Sequence, residues 1–72
     1  MIPISRIKKG DVFSCRNYKT SWINFVWIVM DVDPEERLVH VEAFDINARK
    51  VIKSTWLKNT HEIFDEARRI EV

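Results

Sequence analysis

Trp22-Ile23-Asn24-Phe25-Val26-Trp27-Ile28-Val29-Met30-Asp31-Val32-Asp33 is followed by Pro34-Glu35-Glu36, and then by Arg37-Leu38-Val39-His40-Val41-Glu42-Ala43-Phe44. Two runs rich in β-branched and aromatic residues flank an acidic turn. Pro34 presets φ for the second turn position, so the stretch reads as an antiparallel hairpin. With Pro34 and Glu35 as the loop, Met30 faces Val39, Ile28 faces Val41 and Val26 faces Ala43 on one apolar face. The other face sets Asp31 against Leu38, Val29 against His40, Trp27 against Glu42 and Phe25 against Phe44. A one-residue slip would set Ile28 against Glu42, so the hydrophobic pattern favours the first register. A two-residue loop containing Pro is not the favoured hairpin turn, and a longer loop with a bulge is the alternative.

A half-exposed hairpin is ordinarily polar on its second face. Here that face carries Phe25, Trp27, Val29 and Phe44, and it needs a cover from the chain or from a partner. Outward from the hairpin, Asp45-Ile46-Asn47-Ala48 reads as a second turn leading to a strand over Arg49 to Ser54. That strand sets Asp45 against Lys50, Phe44 against Val51, Ala43 against Ile52 and Glu42 against Lys53, with two opposite-charge pairs in its favour. Val51 joins the second face. Phe25, Trp27, Phe44 and Val51 are therefore the candidate partner-binding residues.

Upstream, Gly10-Asp11 reads as the turn that launches a strand over Val12 to Cys15, with Phe13 and Cys15 facing one way. Met1 to Lys9 reads as an extended arm or one irregular turn. Downstream, Asn59 can cap a short C-terminal helix that gathers Ile63, Phe64, Ala67 and Ile70 on one stripe. The rival is a 3-10 turn after Lys58 and a final strand through Ile70 to Val72.

The chain has 72 residues, one domain's worth. A domain this small buries only about 60% of its unfolded surface, so three Trp and four Phe matter to its core. Hydrophobic residues at 46% exclude a disordered tail. The net charge of +1 gives no global pull toward nucleic acid. Locally the hairpin tip is acidic, with Asp31, Asp33, Glu35 and Glu36, and its flanks are basic. Cys15 is alone, which excludes an internal disulfide and fits a reducing cytoplasm. Charged residues and Pro3 interrupt any signal-peptide core, and no uncharged run is long enough to span a bilayer as a helix.

No catalytic constellation stands out. His61-Glu62-Ile63-Phe64-Asp65 resembles half of a zinc-helix motif but lacks the further ligands zinc needs. Cys15 has no base beside it, and Glu35-Glu36 sit on a turn where no apolar pocket raises a carboxyl pKa. A phosphate cradle is excluded by a single glycine. The expectation is a non-enzyme without metal or cofactor.

Four to five short antiparallel strands with a long second strand suggest a mainly β, small, partly open barrel with a short C-terminal helix. Lys9-Gly10-Asp11-Val12-Phe13, the Trp-rich second strand and the charged turn resemble the opening of small SH3-like barrels of the KOW and Tudor kind. The same residues are similar to short phage and prophage proteins that begin with a basic-Gly-Asp-Val-Phe turn. The later glycines of a KOW motif are missing. The resemblance implies a non-enzymatic, phage-borne binding module; the second apolar face and the near-neutral charge point to one that binds or inhibits a host protein, or self-associates. The alternative is a nucleic-acid-binding domain using a basic aromatic loop, with Arg16, Tyr18, Lys19 and Trp22 in one set and Lys53, Trp56 and Lys58 in a second.

Overall fold

The computed structural model describes residues 2–14 and 25–70. Five strands form one open antiparallel sheet: β1 (Val12–Ser14), β2 (Phe25–Asp33), β3 (Leu38–Asp45), β4 (Lys50–Lys58) and β5 (Arg69–Ile70), in the order β4-β3-β2-β1-β5. Short 3-10 turns, Ile4–Arg6 and Glu66–Arg68, precede β1 and β5. Strand Val12 to Cys15 is found as β1; Cys15 lies outside the described residues, as do Arg16, Tyr18, Lys19 and Trp22.

The hairpin takes the longer loop with a bulge. Pro34 to Arg37 form a four-residue turn, Asp33 faces Leu38, and Val32 faces Val39. Met30 is then the extra residue of a bulge, after which Val29 faces Val41, Trp27 faces Ala43 and Val26 faces Phe44. The register expected for a two-residue loop is thereby corrected. A proline-led turn of the common hand splays the strands, and a residue in the left-handed region brings the chain back. Arg37 takes that role, with φ 56°.

The second hairpin repeats the device. Ile46 to Arg49 form its turn and Arg49 has φ 55°. Both turns read Asp-x-x-x-Arg. Asp33 Oδ1 accepts from the Glu36 N–H at 3.3 Å, and Asp45 Oδ1 accepts from the Asn47 and Ala48 N–H groups at 2.9 and 3.0 Å. Each aspartate satisfies turn donors that no strand reaches. The expected pairs Asp45–Lys50 and Phe44–Val51 are present. Beyond them Ile52 is the extra residue of a second bulge, so Ala43 meets Lys53 and Glu42 meets Ser54, not Ile52 and Lys53. The strand also runs on to Lys58, past its expected end at Ser54.

These bulges decide which residues are hidden. Phe13, Trp27, Val29, Val32, Val39, Val41, Ala43 and Leu57 share the inner face. The chain's own ends cover it: Ile2 and Ile7 from before β1, and Ile63 and Phe64 from after β4, all at 3% exposure or less. Phe13 is fully buried and meets Phe64 edge-on, with ring centroids 5.4 Å apart and planes at 88°. That geometry suits the ring quadrupoles.

The C-terminal segment is not the expected α-helix. Asn59 to Ile63 turn, Asp65 Oδ1 caps the Glu66–Arg68 3-10 turn by accepting from the Ala67 N–H at 2.9 Å, and β5 pairs with β1. Some twelve residues make a marginal helix on their own, whereas pairing with β1 gives the backbone partners and places Arg69 opposite Phe13. A final strand, as in the rival reading, is present at Arg69–Ile70; its continuation to Val72 lies outside the described residues, and the 3-10 turn falls just before the strand, not directly after Lys58. No helix among the described residues is long and apolar enough to cross a membrane.

Candidate functional site

Two surface regions gather polar or aromatic side chains. The first joins the chain ends. Gly10, at φ 94°, closes the turn before β1, and its N–H donates to the Val29 carbonyl at 2.8 Å. Asp11 follows, and its Oδ2 accepts from the Lys8 N–H and from Arg69 Nη1, both at 2.8 Å. Arg69 Nε donates to Glu66 Oε2 at 3.1 Å, and its Nη2 donates to the Arg6 carbonyl at 3.1 Å. Its guanidinium also lies 5.1 Å from the Phe13 ring centroid.

Burial works against the charge of Arg69, but the hydrogen bonds to Asp11 and Glu66 and their charges outweigh it, so its pKa lies above the ordinary value. A cleft of about 360 Å³ lies here, lined by Ser5, Arg6, Lys8, Asp11, Glu66 and Arg69. Its carboxylates are spent on its own cations: Arg69 on both, Arg6 on Glu66 at 3.5 Å. The cleft is a latch that ties β5 to the N-terminal segment. Arg69→Leu is expected to lower stability by about 2 kcal/mol, through lost charge-assisted bonds and the cation–ring contact. Urea unfolding followed by far-ultraviolet circular dichroism measures it; an unchanged midpoint would reduce the latch to surface decoration.

The second region is the outer face of β3 and β4. Alternation places Phe44, Glu42 and His40 of β3 there, facing Val51, Ser54 and Trp56 of β4. Val26 and Ile28 continue it on β2. The Trp56 and His40 rings are stacked, with centroids 5.1 Å apart and planes at 22°. His40 Nε2 and Ser54 Oγ are 2.7 Å apart, which fixes the imidazole from its other side. Trp56, Val51 and Ile52 remain 46 to 47% exposed. The Trp56 side chain is thus held in place yet close to half open to water.

The residues expected to bind a partner are divided by this geometry. Phe44 and Val51 face each other on the outer face. Trp27 is on the inner face against the core, and its indole N–H is buried with no acceptor among the described residues. Phe25 opens β2 opposite Asp45, on Trp27's side by alternation. The four do not share one face, because the Met30 bulge and the four-residue turn move Trp27 inward. Of the second basic aromatic set, Trp56 and Lys58 share the outer face, whereas Lys53, opposite Ala43, projects from the inner side. Ile52 and the His40–Trp56 stack were missed, because without the Ile52 bulge the register set at Asp45–Lys50 would put His40 opposite Thr55.

Among the described residues no group of three or more His, Cys, Asp or Glu is placed to hold a metal ion. The chain matches no family model, no curated protein and no solved structure. The class defined so far is a small β protein: one open antiparallel sheet whose inner face is covered by segments before β1 and after β4, with Val51, Ile52 and Trp56 of β4 left about half exposed.

Proposed function

We propose that this chain is a non-enzymatic binding module that docks a protein partner on the outer face of β3 and β4, anchored by Trp56 with Phe44, Val51 and Ile52. We also read the sheet as a small SH3-like, partly open barrel, and the module as phage-type, acting on a host protein. The strand order, with first and last strands paired and a 3-10 turn before the last, supports the barrel reading.

The observation that carries the function is the Trp56 platform. It is stacked on His40 and exposed at 46%, and the exposed Val51 lies on the same face two rungs along, next to the exposed Ile52 bulge. Exposed apolar groups gathered this way mark interaction surfaces, whereas scattered ones do not. The nucleic-acid reading has one observation in its favour: Lys58 lies on the same face as Trp56. Against it, Asp31 faces His40 across the β2–β3 ladder, and Glu42 stands beside it, so carboxylates border the platform where phosphates would sit.

A photo-crosslinking residue at position 52, exposed to bacterial lysate with and without nuclease, tests the choice. The expected result is a crosslinked protein whose yield is insensitive to nuclease. Crosslinks confined to nucleic acid, or lost on nuclease treatment, would contradict the protein-docking reading.

A further inference from the structure

We propose that the free edge of β4 takes up an extended segment of the partner as an added strand, and that this segment alternates acidic with apolar residues. The inference deepens the docking reading and rests on it. β4 is a sheet edge nine residues long and pairs, among the described residues, with β3 alone; the other edge, β5, has two described residues. Every second residue of such an edge directs its N–H and C=O groups away from the sheet, ready for a further ladder. Main-chain bonds supply affinity in such additions, and alternate side chains supply specificity.

The charge on this edge selects the occupant. From Ile46 to Thr60 the chain carries Arg49, Lys50, Lys53 and Lys58 and no carboxylate. The ion pairs among the described residues lie at the opposite edge, on Arg6 and Arg69; Lys50 has Asp45 opposite it in the ladder, while Arg49, Lys53 and Lys58 have no ion pair among the described residues. A second copy of the chain is a poor occupant. Symmetric antiparallel pairing sets the cationic strand against itself; centred on Ser54, it sets Lys50 opposite Lys58. Like charges directly opposite destabilise a ladder, and opposite charges stabilise it.

The sidedness is also fixed. Lys50 and Lys53 pair with Asp45 and Ala43 and fall on the inner side, while Val51 and Trp56 pair with Phe44 and His40 and fall on the outer side. The Ile52 bulge keeps both lysines on one side despite their odd spacing. A partner strand with carboxylates on the inner side and aliphatic groups on the outer side answers Lys50 and Lys53 on one side and Val51 and Trp56 on the other; Lys58 stands on the outer side at the strand's end.

The test uses capped synthetic peptides of about seven residues, a usual strand length. One alternates Glu and Val; a second has the same composition scrambled; a third replaces Glu by Lys. Two further versions of the alternating peptide carry N-methyl groups on one or the other set of alternate amides. Binding is read from tryptophan emission and from backbone amide shifts of the intact protein.

The expected result is binding of the alternating peptide that weakens as salt rises, with the scrambled and Lys peptides weaker by about tenfold or more. One methylation set should lose about tenfold or more, because it removes ladder bonds, and the other should bind nearly as well as the parent. Equal binding of both methylated peptides would overturn strand addition and leave outer-face docking standing. No peptide binding, with Trp56-dependent crosslinking intact, would do the same; loss of both would remove the docking reading too. A dimer of the protein alone that excludes the peptide would assign the edge to a second copy. Displacement by an equal concentration of oligothymidylate would assign it to phosphate.

Discussion

Phe13→Ala is expected to remove about 3–5 kcal/mol, a large share of the stability of a chain this short. Phe13 is fully buried in a three-residue strand between β2 and β5, with Phe64 edge-on to its ring and the Arg69 guanidinium over it. Truncating a buried Phe costs about 3–5 kcal/mol, its lost ring contacts included. A domain of this length has about 4–10 kcal/mol in all. The loss also reaches the latch, because Arg69 rests on the ring that is removed. Phe13→Leu, which keeps most of the volume, should cost about 1–2 kcal/mol and remain folded. Urea unfolding of both variants separates the outcomes. A small shift for Phe13→Ala would mean that the chain ends do not close over the inner face.

Trp56→Ala is expected to abolish partner capture while leaving the fold intact. The side chain is 46% exposed and packs chiefly on His40, so stability should change by less than about 1 kcal/mol. A central aromatic anchor at a protein interface is worth about 2–4 kcal/mol, or roughly 30- to 1,000-fold in affinity. Crosslinking from position 52 should fall accordingly, with the thermal midpoint nearly unchanged. Retained capture would move the docking surface elsewhere.

The sequence was legible where alternation and turn chemistry agreed. The strand after Gly10, the two central strands and the first rungs of the second hairpin followed from β-branched runs and turn residues. Register was not legible, because the Met30 and Ile52 bulges change side-chain facing without leaving a mark in composition. Trp27 and Val29 therefore turn inward while Val26 and Ile28 turn outward. The idea that the ribbon is apolar on both sides and needs a cover holds for the inner face, which Ile2, Ile7, Ile63 and Phe64 close. Their contribution was illegible because the two end segments are irregular, and neither a period of two nor a helical period identifies a plug. A helical stripe could be drawn through Ile63, Phe64, Ala67 and Ile70, yet pairing with β1 offered this segment more than an isolated short helix could.

The most direct measurement is solvent access to the indoles of the free protein, labelled with 5-fluorotryptophan and assigned with Trp56→Phe and Trp27→Phe variants. In the monomer, the Trp56 fluorine resonance should broaden with a soluble paramagnetic agent and shift between light and heavy water, while the Trp27 resonance does neither to a comparable degree. A Trp56 resonance as shielded as that of Trp27 would mean that the outer face is already covered, and the docking surface would not exist.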